Sequence, residues 1–300
     1  MRVIRGLQPG KPCVLALGTF DGIHRGHDKL LEKTLTEALK SQTEACVCTF
    51  DPIPAAVLHP ENRTGMLMTA GERLKELERR GFDTVYLIPF NEETAAISAQ
   101  EFAADLAEKL HPVQLVVGFD YRFGRYGQGD PEMLSRFGKQ YGFGVTVIEP
   151  VEEDGIKISS SRIRQELNAG NLTKANSLLG YEYALEGTVV RGKGVGKTLG
   201  FPTANIEVAG EKQLPAFGVY ACEAAWDGMI RKAVVNIGLQ PTIPSGKVTV
   251  EAFIPDGEYD LLERNVRLTL KARIRGEKKF DSVDELKKQI AEDIKTAEKL

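Results

Sequence analysis

Four cysteines, four histidines and one tryptophan in 300 residues leave little room for several classes of explanation. Cys13, Cys46, Cys48 and Cys222 form no C-x-x-C pair, and Cys46 and Cys48 share one face of an apolar run. They read as small buried hydrophobes, which excludes a zinc ribbon and a disulfide framework. No long apolar run occurs and no signal-peptide pattern follows Met1, so no spanning helix or leader is expected, and the cytoplasm is the expected compartment. A net charge of −3 gives no electrostatic footprint for nucleic acid or an anionic membrane. Repeats, low-complexity tracts and long flexible linkers are also absent. What remains is 42% hydrophobic and 27% charged, an ordinary globular composition of a length that suggests two domains at roughly 150 residues each.

The histidines are few but not scattered. Two of the four stand in Gly18-Thr19-Phe20-Asp21-Gly22-Ile23-His24-Arg25-Gly26-His27. This stretch lies between an apolar run at 13–17 and a helical pattern at 28–39 with apolar Leu30, Leu31, Leu35, Ala38 and Leu39. Strand, glycine-rich turn and helix in that order expose backbone N–H groups at a helix N-terminus, a site for a phosphate chain. Gly18, Phe20, Asp21 and Gly22 are therefore candidate phosphate-binding positions. His24 and His27, three apart, fall on one face of the helix start as N–H donors towards a shared anion.

Strands and helices then alternate to about residue 180, as in a parallel α/β sheet. Strands are predicted at 45–50, 84–88, 113–117 and 145–148. Capping boxes at 69–72 and 98–101 open two helices, and a third helix covers 131–141. Ligands of such sheets sit beyond the strand carboxyl ends, at the switch point. Two more segments can converge there. Phe119, Tyr121, Phe123 and Arg125, with Asp120 among them, offer planes, charge and an acceptor to a nucleotide or another ring system, or form a solvated basic loop. Ser160, Ser161 and Arg164 lie in Ile158-Ser159-Ser160-Ser161-Arg162-Ile163-Arg164, where hydroxyls serve the helix start or, with the arginines, clamp a leaving pyrophosphate.

Helical periodicity stops near residue 180. Short β-type runs follow at 184–191, 218–226, 232–237, 248–254 and 266–274, indicating an antiparallel barrel or sandwich. A charged amphipathic helix starting near Asp281, with apolar Leu286, Ile290 and Ile294, ends the chain. Between the first two runs, Gly192, Gly194 and Gly196 with Lys193 and Lys197 make either a cradle for polyphosphate, without the spacing of a Walker A loop, or a glycine-rich β-turn followed by a capped strand. Thr203 and Asn205 alternate on one face of an extended segment and offer two neutral oxygens to a hard cation such as Mg²⁺. Glu251 supplies a carboxylate within the run at 248–254.

Together these segments resemble the prokaryotic bifunctional riboflavin kinase/FMN adenylyltransferase family, also called FAD synthetases. The likeness rests on GTFDGIHRGH (18–27), TFDP (49–52), VVGFDYRFGR (116–125), ISSSRIR (158–164), LGFPTANI (199–206) and KFDS (279–282). It implies a Rossmann-like nucleotidylyltransferase domain over 1–182 and a six-stranded flavokinase barrel over 183–300. It further implies riboflavin, FMN and ATP as substrates, FAD and pyrophosphate as products, and Mg²⁺ as cofactor. Under it His24 and His27 stabilise charge at the ATP α-phosphate while FMN phosphate attacks. Ser160, Ser161 and Arg164 hold polyphosphate, and Asp120 the adenosine side. Thr203 and Asn205 hold the metal, and Glu251 is the base that deprotonates the riboflavin hydroxyl. The chain departs from the family at Gln240, where an arginine is usual, and over 255–263. The alternative is therefore an FMN adenylyltransferase with a weak or vestigial kinase barrel.

Overall fold

The computed structural model describes residues 1–58, 65–192, 194–239, 248–255, 257 and 259–300, apart from the side chains of Val195 and Lys197. Two compact units account for them, Met1–Ser160 and Ser161–Leu300.

The first unit is an open parallel sheet of β1 (Arg2–Arg5), β2 (Cys13–Leu17), β3 (Glu44–Phe50), β4 (Thr84–Ile88), β5 (Pro112–Gly118) and β6 (Gly144–Ile148). Its strand order is β1-β4-β3-β2-β5-β6. The order reverses between β2 and β5, so the loops leaving these two strands flank the switch point, where open α/β sheets bind ligands. Helices α1 (Arg25–Ser41), α2 (Pro54–Leu58), α3 (Ala70–Arg79), α4 (Glu92–Ala96), α5 (Ala99–Leu110) and α6 (Pro131–Tyr141) connect the strands. The central strands β2 and β4 are buried along their whole length, which their unbroken apolar runs require of a sheet covered on both faces. Both capping boxes form, at Thr69/Glu72 and Ser98/Glu101. A two-strand hairpin, β7 (Glu152–Glu153) with β8 (Ile156–Lys157), closes the unit. β1 pairs with β4 at the sheet edge; no alternation in Met1–Ile4 announced it.

The second unit is a closed antiparallel barrel of β9 (Ala184–Val190), β10 (Thr203–Val208), β11 (Gly218–Trp226), β12 (Met229–Leu239), β13 (Val248–Phe253) and β14 (Asn265–Arg275). The segment with Thr203 and Asn205 is the sixth strand. Helices α7 (Ser160–Ala169) and α8 (Leu172–Leu179) belong almost wholly to this unit, so the compact division falls before residue 182. Side-chain and backbone bonds explain why. Ala216 N–H donates to the Leu167 carbonyl at 2.8 Å, Asn176 Nδ2 to the Leu270 carbonyl at 3.4 Å, and Tyr183 N–H to Asn176 Oδ1 at 2.9 Å. A short helix, α9 (Val195–Leu199), stands inside the glycine-rich loop.

The final helix, α10 (Val283–Glu298), begins at the Ser282 cap and lays Ala297 and Ile294 against Val219, Ala221 and Val234. It is fastened by Arg275, whose Nε and Nη2 reach the buried Asp293 carboxylate at 2.8–3.1 Å. Breaking a fully buried pair costs about 3–5 kcal/mol. Arg275 keeps solvent contact, so Asp293→Ala is expected to cost about 2 kcal/mol. The single tryptophan, Trp226, is buried in β11 and reports this unit alone. Its fluorescence in a urea titration should show a lower midpoint; an unchanged midpoint would remove the pair from the stability of the barrel.

Candidate active sites

The first site begins where β2 ends. The chain passes through left-handed backbone at Phe20 (φ 50°), Gly22 (φ 82°) and Ile23 (φ 34°) before α1 starts. Two non-glycine residues in that region within four positions are strain of the kind found at functional sites. The loop is held down firmly. Phe20 and Ile23 are buried, and Gly18 N–H donates to the Cys48 carbonyl at 3.3 Å. Asp21, also buried, accepts from Met68 N–H at 3.1 Å through its carboxylate and from Ser160 Oγ at 2.9 Å through its carbonyl.

His24 is the N-cap of α1, and its Nδ1 accepts from His27 N–H at 3.4 Å. An accepting Nδ1 carries no proton, so neutral His24 bears its proton on Nε2. Gly26 makes this possible: a Cβ there would stand 3.1–3.2 Å from the His24 ring. The two imidazoles stack with centroids 3.8 Å apart and 13° between planes, and Phe20 meets His27 edge-on at 5.4 Å. Burial, then His24, Arg73 and Arg80, push the His27 pKa well below the ordinary imidazole value. His27 is therefore neutral at pH 7. Its Nδ1 is buried and has no hydrogen-bond partner among the described residues.

The loop after β5 supplies the other side of the switch point. Phe119 and Asp120 are exposed, and Lys157 of β8 joins both, 2.6 Å from Asp120 Oδ2 and 5.1 Å from the Phe119 ring centroid. Tyr121 is half-buried and stacks at 5.7 Å on Phe123, which is 6% exposed and part of the hydrophobic core. Phe123 thus backs Tyr121 rather than offering a free face. Arg125 is exposed, and its N–H donates to the Ile97 carbonyl at 2.7 Å. Ser160 belongs to this unit through Asp21, whereas exposed Ser161 and half-buried Arg164 are residues of the second unit.

Arg73 was not legible as part of this site. Its side chain is 1% exposed and donates to the Thr19 carbonyl at 3.0 Å and to the Phe50 carbonyl at 2.6 Å. Thr49 Oγ1 also donates to the Thr19 carbonyl, at 3.0 Å. The one available signal was its position four residues before Leu77, within the apolar stripe of α3.

The second site lies on the outer face of the barrel. Val234 packs against Ala297 of α10, so the cross-strand row Thr203–Phe253–Val234 faces outward. Two residues along each strand, the same face carries Asn205, Glu251 and Asn236 side by side. Directly opposed residues of antiparallel strands lie about 4.5–5.5 Å apart at Cα, within side-chain reach. Register thus brings together Asn205 and Glu251, which the sequence separates widely, and adds Asn236. The glycine-rich loop closes on this row. A Cβ at Gly192 would meet the Asn205 amide at 2.0–2.6 Å, and one at Gly196 would meet Thr203 Oγ1 at 3.0 Å. Gly194 (φ 72°) has open space around it. Lys193, the Lys197 side chain and Gln240 lie outside the described residues. No group of three or more His, Cys, Asp or Glu side chains able to hold a metal occurs among the described residues. Thr203 and Asn205 carry neutral oxygens, a donor type that suits a hard ion keeping waters and phosphates in its shell.

A parallel sheet with paired histidines at its switch point, followed by a closed six-stranded barrel, defines a nucleotidylyltransferase-type unit joined to a flavokinase-type unit. Comparison with known proteins agrees. The sequence model described as FAD synthetase matches residues 8–162, and the one described as Riboflavin kinase matches residues 179–300. The bifunctional riboflavin kinase/FMN adenylyltransferase of Escherichia coli K12 is 39% identical over 306 residues, covering 99% of this chain and 97% of its own. The Bacillus subtilis protein of that name is 35% identical over 288 residues, covering 93% and 90%. A solved structure titled as a macrolide-efflux protein from Streptococcus pneumoniae superposes with a TM-score of 0.90 at 32% identity, covering all of both chains. The chain belongs to the bifunctional riboflavin kinase/FMN adenylyltransferase family.

Gly192→Ala tests the second site. The backbone tolerates alanine there, but the new methyl group displaces the Asn205 amide. Riboflavin phosphorylation should fall by about 10-fold or more, given the rate cost of misplacing a reacting group by an ångström. FAD formation from supplied FMN should be unchanged. Equal loss of both activities, or of neither, would contradict the placement.

Proposed function

We propose that this chain makes FAD in two ATP-dependent steps, phosphorylating riboflavin to FMN on the barrel and adenylylating FMN to FAD, with release of pyrophosphate, at the histidine loop. We assign the second step to residues 1–182 and the first to 183–300. The observation that carries the reading is the stacked His24–His27 pair at the N-terminus of α1, at the switch point of a parallel sheet. Among the described residues no helix is long and apolar enough to cross a membrane, and we take the cytoplasm as the place of work.

In adenylyl transfer the nucleophile is the phosphate oxygen of FMN. It is already an anion, so the step needs positioning and charge stabilisation rather than a base. The Nε2–H of His24 and a ring N–H of His27 face the ATP α-phosphate, with the N-terminal turn of α1 adding its partial positive charge. Gly18, Phe20, Asp21 and Gly22 shape the phosphate loop. Ser160, Ser161 and Arg164 hold the departing pyrophosphate. Asp120 takes the adenosine side. Phe119, Tyr121 and Arg125 receive the flavin, with Phe123 as the packing behind Tyr121.

Riboflavin phosphorylation is different, because a hydroxyl must lose its proton. Glu251 is the base, held in register between Asn205 and Asn236. Thr203 and Asn205 hold Mg²⁺, which when bound offsets charge on the ATP phosphates, and the backbone of Gly192, Gly194 and Gly196 with Lys197 cradles the phosphate chain. The second reading, a weak kinase barrel, rests on Gln240 and on 255–263, where Leu261 is buried and Leu262 exposed.

Two substitutions separate the steps. His27→Ala should lower FAD formation by about 10²–10³, the usual loss for one preorganised donor, and leave riboflavin phosphorylation intact. Glu251→Gln keeps size and hydrogen bonding but cannot accept the proton, and should lower FMN formation by roughly 10²–10⁴ without weakening ATP binding. Both are read by chromatography of FMN and FAD after incubation with MgATP and riboflavin or FMN. Wild-type protein that binds MgATP yet yields no FMN at saturating riboflavin would overturn the kinase assignment and leave the weak-barrel reading.

A further inference from the structure

We propose that Arg73 is a positioning residue for adenylyl transfer: its buried guanidinium holds the carbonyls of Thr19 and Phe50 together and so fixes the loop that presents both histidines. The inference rests on the adenylyl-transfer reading of that loop and deepens it.

Thr19 lies two residues beyond the end of β2, and Phe50 is the last residue of β3. One side chain from α3 therefore ties together the ends of adjacent strands, one of which feeds the strained turn into His24. The Thr19 carbonyl accepts twice, from Arg73 Nη1 and from Thr49 Oγ1, so its orientation is fixed from two directions. A planar fork with fixed donor directions can hold two separate carbonyls at once; a lysine ammonium has one centre and cannot reproduce that geometry. Nothing in α3 itself needs a buried cation. Its cap is complete at Thr69 and Glu72, and its stripe would bury an apolar residue at less cost.

The same charge has a second effect. The charged and titratable groups facing His27 are His24 from the helix cap, Arg73 from α3 and Arg80 just beyond it. Arg80 is matched by carboxylates, at 2.7 Å from Asp28 and 2.8 Å from Glu76. Arg73 is bonded to neutral carbonyls, with Asp21 and Asp51 as its nearby charges. Its field contributes to keeping His27 unprotonated, so the loop geometry and the histidine's charge state depend on one side chain.

The test compares Arg73→Lys with Arg73→Met in the full chain. FAD formation from FMN is followed against pH, riboflavin phosphorylation serves as the internal control, and the imidazole titration of His27 is read by ¹⁵N NMR. Both variants should lose roughly 10–100-fold in kcat for FAD formation, since both lose the two-carbonyl fork, while FMN formation by the same samples is unchanged. Only Arg73→Met should move the His27 titration upward, towards the ordinary imidazole range, because only it removes the charge. A merely structural arginine would lower FAD formation only in proportion to the folded first unit lost, read by far-UV circular dichroism of the same samples, and would not separate lysine from methionine in the titration. Parent-like kcat in both variants, or a His27 titration in Arg73→Met that matches the parent, overturns the proposal. If Arg73→Met does not fold, Arg73→Lys decides it through kcat alone. If the parent itself makes no FAD, the adenylyl-transfer reading fails, and the titration still reports whether Arg73 acts on His27.

Discussion

A buried guanidinium between two strand ends is the constraint on which the first site depends. Taking such a charge out of water costs several kcal/mol unless hydrogen bonds and opposite charges offset it. Arg73 has two carbonyls at 2.6 and 3.0 Å and the charges of Asp21 and Asp51 nearby. Asp21 in turn binds Met68 N–H and, through its carbonyl, the Ser160 hydroxyl. Arg73, Asp21, Thr49 and Ser160 thus form a polar floor beneath the loop, and each member bonds a backbone group. Such a floor lets Phe20 and Ile23 remain in left-handed conformations that would otherwise relax.

The second site solves the placement problem by register instead of strain. A closed barrel has no edge strand to slip, and pairing with two neighbours fixes β13 from both sides. Asn205, Glu251 and Asn236 then occupy one outward row without unusual backbone. The price is that a barrel face is open to solvent, so the glycine-rich loop must close over it. Gly192 and Gly196 allow that closure by leaving room for the Asn205 and Thr203 side chains.

Local chemistry was legible in the sequence and long-range packing was not. Capping boxes at Thr69 and Ser98, the helix at 131–141 and the strand at 84–88 follow from neighbouring residues, and the structure has them there. The pairing of His24 with His27 followed from spacing; the stacking and the Nδ1 cap did not, since they depend on Gly26 having no side chain. Arg73 looked like one more cation in a charged helix because burial is decided by β2 and β3, far away in sequence. Asn236 passed as part of a strand, since only register sets it beside Glu251. The grouping of α7 and α8 with the barrel was hidden for the same reason: the bonds that hold them come from Ala216, Leu270 and Tyr183. Phe123, in an aromatic loop, gave no sign that its own side chain belonged to the core.

On the proposed reading, a neutral His27 at one site and a carboxylate at the other follow from what each nucleophile lacks. A phosphate monoester with a second pKa of about 6 arrives at the first site already ionised at neutral pH, so a base there would have nothing to remove. What is missing is stabilisation that grows as the α-phosphate changes charge. A protonated histidine would bind ATP and pyrophosphate strongly in their ground states, and that uniform binding does not speed the chemical step. A neutral N–H donor binds the ground state more weakly and gains strength as the acceptor becomes more negative. Burial, His24, Arg73 and Arg80 all hold His27 on the neutral side. The hydroxyl nucleophile of the second site arrives protonated, and there an acceptor is indispensable. One chain can therefore run both steps at one pH because each unit supplies what its own nucleophile lacks.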